Sequence, residues 1–139
     1  MFIRKLNRTS RLLCLAINSL LFVGSTLDIA FAGASDYSSY QNSCTNIDVA
    51  GALLKATCLT KNSTYKTTGI LIRGISNNNG VLTYTSDAAA NSSYQSSCKY
   101  ISVAGNSLTA TCLTTNLTYK TTSILIRGIY NNDGVLSYL

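Results

Sequence analysis

The chain is written twice. Shifted by 54 positions, residues 38–85 fall on residues 92–139, and 34 of the 48 pairs are identical. Ser38-Ser39-Tyr40-Gln41 lands on Ser92-Ser93-Tyr94-Gln95, Thr64 to Thr68 on Thr118 to Thr122, and Ile70 to Ile75 on Ile124 to Ile129. A tandem duplication restricts the fold severely, because the same apolar positions must be buried twice and by the same local structure. Cys44 lands on Cys98 and Cys58 on Cys112. Four cysteines allow three connectivities. Identical units form identical local bonds, which selects Cys44–Cys58 and Cys98–Cys112. Each bond closes a loop of about 15 residues, worth about 3 kcal/mol of chain entropy. The alternative is a zinc site built from all four thiolates. Such sites bring cysteines two to four residues apart, whereas thirteen residues separate each pair here.

Residues 1–32 stand outside the repeat. Arg4, Lys5, Arg8 and Arg11 precede a mostly apolar stretch from Leu12 to Val23, and Ala30-Phe31-Ala32 places small residues where a signal peptidase cuts. This order predicts a secretory signal peptide. A spanning helix needs roughly 20 apolar residues, more than the stretch provides, so no membrane association is expected after cleavage. The expected location is extracellular, or periplasmic if the source is bacterial. Residues 33–139 then form a single domain of tandem repeats 38–85 and 92–139. Removing the leader takes away all three Phe, the only Met and Cys14. The remainder has seven Lys and Arg against four Asp, so the net charge falls from +6 to +3. Scattered cations of that number are a solvated surface and not a track for phosphates, so no nucleic-acid partner is expected.

The repeat reads as β structure. Ala56, Cys58 and Thr60 alternate with Lys55, Thr57 and Leu59, the period of a half-buried strand. Asn77-Asn78-Asn79-Gly80 and Asn131-Asn132-Asp133-Gly134 are hairpin turns, since Asn, Asp and Gly supply positive φ at little cost. Val81 to Tyr84 and Val135 to Tyr138 are the return strands. The serine-rich stretches 38–43 and 92–97 are expected to make single helical turns, and Thr85 to Asn91 joins the units. Tyr40, Tyr65, Tyr84 and their repeat mates are expected in the core, because a core must be the same twice.

Each unit opens with Tyr-Gln-x-Ser-Cys and a second Cys after thirteen residues. Asn-x-Thr-Tyr-x-Thr-x-x-Ile follows, and Ile-x-Asn-x-(Asn/Asp)-Gly-x-Leu-x-Tyr closes the unit. Occurring twice, this pattern resembles the cyanovirin-N homology family over residues 38–139. The resemblance implies an all-β, elongated, pseudo-symmetric fold in which each three-stranded sheet packs with a hairpin from the other repeat. It further implies a lectin for mannose-rich or related neutral glycans, with two sites at opposite ends. Carried onto this chain, one site uses Asn42 and Ser43, Lys61 and Asn62, and Asn131, Asn132 and Asp133. The other uses Asn77, Asn78 and Asn79, Ser96 and Ser97, and Thr114 and Thr115. The chain departs from the family in lacking glutamate, and Leu59 and Leu113 stand where a charged residue is found in the family. The turn asparagines serve a hairpin whether or not they bind a ligand. The pairs Asn42/Ser96, Lys61/Thr115 and Asn79/Asp133 are where the two sites differ.

Catalysis is not expected. Residues 33–139 contain neither His nor Glu, and every cysteine there is assigned to a disulfide. General acid–base work needs a titratable pair in one pocket, yet Asp48 has Ser102 as its mate, and Asp36 and Asp87 flank the first repeat. No metal and no cofactor are called for. The expected partners are oligosaccharides or glycoproteins. A secreted structural or adhesive protein on the same scaffold is the competing function. Sequons occur at Asn62, Asn91 and Asn116. The join contains no proline, and a monomer is expected, with a strand-swapped dimer as the alternative.

Overall fold

The computed structural model describes residues 36–139; the segment read as a signal peptide lies outside them. Ten strands follow in order: β1 Cys44–Ala50, β2 Leu53–Leu59, β3 Tyr65–Leu71, β4 Ile75–Asn78, β5 Val81–Tyr84, β6 Cys98–Ala104, β7 Ser107–Leu113, β8 Tyr119–Leu125, β9 Ile129–Asn132 and β10 Val135–Tyr138. Short 3-10 turns at Tyr40–Asn42 and Tyr94–Ser96 precede β1 and β6. Strands β1–β2–β3 and β6–β7–β8 form two antiparallel three-stranded sheets, and β4–β5 and β9–β10 are two hairpins. The architecture is the all-β, duplicated one that the repeat implies.

The disulfides join directly paired residues, Cys44 with Cys58 and Cys98 with Cys112. Alternation along β2 sends Leu54, Ala56 and Cys58 inward, and their mates Leu108, Ala110 and Cys112 do the same. Ile72, Ile75, Ile126 and Ile129 complete the core. Each such aliphatic chain contributes about 1.5–3 kcal/mol when fully buried. Tyr40 and Tyr94 are also fully buried. Their hydroxyls are not orphaned: Tyr40 donates to the Gly105 carbonyl at 2.7 Å and Tyr94 to that of Gly51 at 2.8 Å. Each repeat thus plugs its tyrosine into the β1–β2 or β6–β7 turn of the other.

The hairpins are exchanged between repeats. Strand β10 packs on β3, and β5 on β8. Thr68 Oγ1 accepts the Leu136 amide at 3.1 Å, and Thr122 Oγ1 accepts that of Leu82 at 3.2 Å. The Tyr138 hydroxyl donates to the Leu71 carbonyl at 2.8 Å and accepts the Arg73 amide at 2.9 Å. The Tyr84 hydroxyl donates to the Leu125 carbonyl. The Arg73 guanidinium lies 4.7 Å over the Tyr138 ring, and that of Arg127 4.2 Å over Tyr84.

One expectation is corrected. Tyr65 and Tyr119 are exposed and do not join the core. Tyr65 pairs with Leu59 and Tyr119 with Leu113. Since Cys58 and Cys112 face inward, their strand neighbours face outward, and so do the tyrosines opposite them. Tyr84 and Tyr138 are half-buried beside the arginines.

Candidate functional site

Two polar clusters form where a hairpin of one repeat meets the sheet of the other. Both two-residue turns, Asn79-Gly80 and Asp133-Gly134, take positive φ at both positions: 50° and 83°, and 51° and 86°. This is the conformation whose twist suits a tight hairpin. The glycines are required for a second reason. A Cβ on Gly134 would lie 2.6 Å from Thr60 Cγ2, and one on Gly80 would lie 2.6 Å from Thr114 Cγ2. Each hairpin tip is therefore pressed onto the β2–β3 or β7–β8 turn of the opposite repeat.

The first cluster is centred on Asn131. Its amide nitrogen donates to Ser43 Oγ at 2.9 Å and to the Leu59 carbonyl at 2.8 Å, and its Oδ1 accepts the Gly134 amide at 2.8 Å. Asp133 Oδ1 accepts the Lys61 amide at 2.8 Å. These bonds bring the segment before β1, the β2–β3 turn and the last hairpin together. Asn42, Lys61, Asn62, Asn132 and Asp133 are exposed on that junction.

The second cluster repeats the plan. Asn77 donates to Ser97 Oγ and to the Leu113 carbonyl, both at 2.9 Å, and accepts the Gly80 amide at 2.7 Å. Asn79 Oδ1 accepts the amide and hydroxyl of Thr115 at 2.9 and 3.0 Å. Asn78, Asn79, Ser96 and Thr115 are exposed. Thr114 is buried, and its hydroxyl is 2.7 Å from that of Thr118, whose amide it also accepts at 3.1 Å. Thr60 and Thr64 do the same in the first cluster at 2.7 and 3.1 Å.

Every residue that the sequence reading assigned to a site lies in one of these clusters, sorted into two roles. Asn77, Asn131, Ser43 and Ser97 hold the segments together, Asn79 and Asp133 add to this through Oδ1, and the Thr114 hydroxyl braces its own turn. The exposed amides and hydroxyls can both donate to and accept from sugar hydroxyls, and the Lys61 ammonium can donate to them. The two clusters differ in charge. The first carries the Asp133 carboxylate and the Lys61 ammonium; at the same positions the second carries a neutral amide and a hydroxyl. The sequence reading missed Thr60 and the Leu59 and Leu113 carbonyls. Thr60 was legible as the mate of Thr114, but a carbonyl leaves no mark in a sequence.

Among the described residues no three His, Cys, Asp or Glu side chains gather as a metal site would require. The CVNH domain family matches residues 40–137, and the chain belongs to that family. Structures of similar fold include one titled as T. borchii CVNH, with TM-score 0.61 and 24% identity over 73% of this chain and 99% of that one. A microvirin–mannobiose complex matches with TM-score 0.56 and 24% identity over the same shares. A MoCVNH3 variant in complex with (N-GlcNAc)4 matches with TM-score 0.62 and 16% identity over 75% and 99%. At these identities the likeness establishes the fold. No curated relative matches the chain.

Proposed function

We propose that the protein is a secreted lectin, without catalytic activity, that binds mannose-rich or related neutral glycans through the two clusters at opposite ends of one monomer. The observation that carries this reading is the double assembly. Three sequence-distant segments meet twice in the same way, and each time the half-buried Asn131 or Asn77 clamps them together beside an exposed Asn132 or Asn78. The fold family and its sugar-bound members support it. The Asp133 carboxylate stands alone among the exposed cluster residues, with no paired carboxylate of the kind a glycosidase uses.

Two sites on one body raise avidity for branched glycans when both are engaged. Substituting Asn132 and Asp133 by Ala should weaken binding at the first cluster, and substituting Asn78 and Asn79 should weaken it at the second. Each lost hydrogen bond is worth about 0.5–1.5 kcal/mol. Calorimetry with oligomannose on the purified protein checks this. No heat with oligomannose or any neutral glycan would leave the adhesive-scaffold reading, in which the clusters serve only to hold the halves together. Light scattering checks the monomer: a concentration-independent dimer would show that the hairpins exchange between chains.

A further inference from the structure

The outward face of the second sheet carries residues that the fold does not ask for. Lys99, Tyr100 and Leu117 have Thr45, Asn46 and Ser63 as repeat mates, and the strands around both sets are equivalent. Tyr100 sits in the bulge between Lys99 and Ser102 with φ 53°, and Leu117 in the β7–β8 turn with φ 62°. Their mates Asn46 and Ser63 take the same angles, 50° and 60°. Asn occupies the left-handed region readily, but a bulky Tyr or Leu does so only at an energetic penalty. Burial does not offset that penalty, because Tyr100 is 77% and Leu117 79% exposed. Strain held at an exposed position, where the same fold uses cheaper residues, points to a purpose outside the fold.

Lys99 and Tyr100 stand together with Tyr119. The Lys99 ammonium is 3.7 Å from the Tyr119 ring centre and 5.3 Å from that of Tyr100, so one cation positions two rings. The surface continues into the second cluster. Tyr119 pairs with Leu113, whose amide donates to the Ser97 carbonyl at 3.0 Å and whose carbonyl accepts from Asn77. Leu117 lies in the same turn as Thr115, which Asn79 holds.

Resting on the lectin reading above, we infer that the second cluster extends into an aromatic subsite for a further sugar unit. Its chemistry selects the sugar. Tyr100, Tyr119 and Leu117 offer apolar surface to C–H groups, and Lys99 donates to sugar oxygens. A β-linked glucose or N-acetylglucosamine unit, with all its substituents equatorial, presents an unbroken C–H face. The axial hydroxyl of mannose interrupts one face. The subsite therefore favours a glucose-type unit, and the first repeat keeps the exposed Tyr65 but, with Thr45, Asn46 and Ser63, has no counterpart to Lys99, Tyr100 and Leu117.

The test uses the mature protein and two probes, mannobiose and a β1-4-linked N-acetylglucosamine tetramer, followed by NMR amide shifts and melting temperature. The tetramer should shift Tyr100, Leu117 and Tyr119 together with Asn78 and Thr115. The double variant Tyr100→Asn/Leu117→Ser should bind the tetramer about tenfold more weakly, bind mannobiose unchanged, and melt several degrees higher because the strain is relieved. Unchanged tetramer affinity in the variant, or a lower melting temperature, would overturn the inference. Binding of mannobiose but not of the tetramer sinks the inference alone. Binding of neither probe, nor of any glycan on an array, sinks the lectin reading and the inference with it.

Discussion

The two repeats share 34 of 48 positions, and the fourteen that differ are not scattered evenly through the structure. Fully buried positions are identical: Tyr40 and Tyr94, Leu54 and Leu108, Ile75 and Ile129. So are the asparagines that clamp each hairpin tip, Asn77 and Asn131. The differences fall on turns and outward faces, at Lys61 against Thr115, Asn79 against Asp133, and the trio Thr45, Asn46 and Ser63 against Lys99, Tyr100 and Leu117. At buried positions identity therefore reports what holds the molecule together, and divergence on turns and outward faces reports what the two repeats present differently to solvent. The molecule contains its own control, since any feature needed for folding must be present on both sides.

The sharpest way to break this comparison is in the core. Leu54→Ala and Leu108→Ala should each destabilise by about 2–5 kcal/mol, and by similar amounts, because both side chains are fully buried in one cluster. Urea unfolding checks it. Costs that differ by several kcal/mol, or two separate transitions, would mean that the halves do not share a single core. Replacing Cys44 and Cys58 by Ser should cost about 3 kcal/mol, as should the same change at Cys98 and Cys112, again read from urea midpoints. The third prediction sharpens the divergent side. Transplanting Thr45→Lys, Asn46→Tyr and Ser63→Leu should lower the melting temperature and make the first end bind the N-acetylglucosamine tetramer about tenfold more tightly.

The smallest effect is alkaline. Burial pushes the Tyr84 hydroxyl up to about 12, against the opposing pull of Arg127, and burial also raises Tyr40, Tyr94 and Tyr138. Unfolded tyrosine ionises near 10. Above that pH the unfolded chain gives up protons that the folded one keeps, so stability falls as pH rises. It is fully present below about pH 10 and declines from there toward 12. Circular dichroism across that range should show unfolding in step with ionisation of these four tyrosines. Ionisation of all nine tyrosines near pH 10 with the fold intact would contradict the burial of these four rings.

Much of this was legible in the sequence because duplication exposes it. Equal cysteine spacing fixed the disulfides, and Asn-Gly and Asp-Gly fixed the hairpins. The alternation around Cys58 gave the inward face of β2. Tyr65 and Tyr119 misled because identity between repeats does not say which face a residue occupies. That depends on its register opposite Leu59 and Leu113, which a sequence does not state. The hairpin exchange joins residues such as Thr68 and Leu136, 68 apart, and followed from family resemblance and not from spacing. The strain at Tyr100 and Leu117 was hidden because neither residue type signals a left-handed turn.

The exchange of hairpins has a consequence for inheritance. Each polar cluster is encoded in both halves of the gene, since Gly80 of the first repeat seats against Thr114 of the second, and Gly134 of the second against Thr60 of the first. A lesion in the codons for Asn77 to Gly80 is expressed at the cluster whose remaining parts come from the other repeat. Neither copy of the duplicated unit can drift as a spare, because each completes its sister. The duplication created a mutual dependence, and selection acts on the pair.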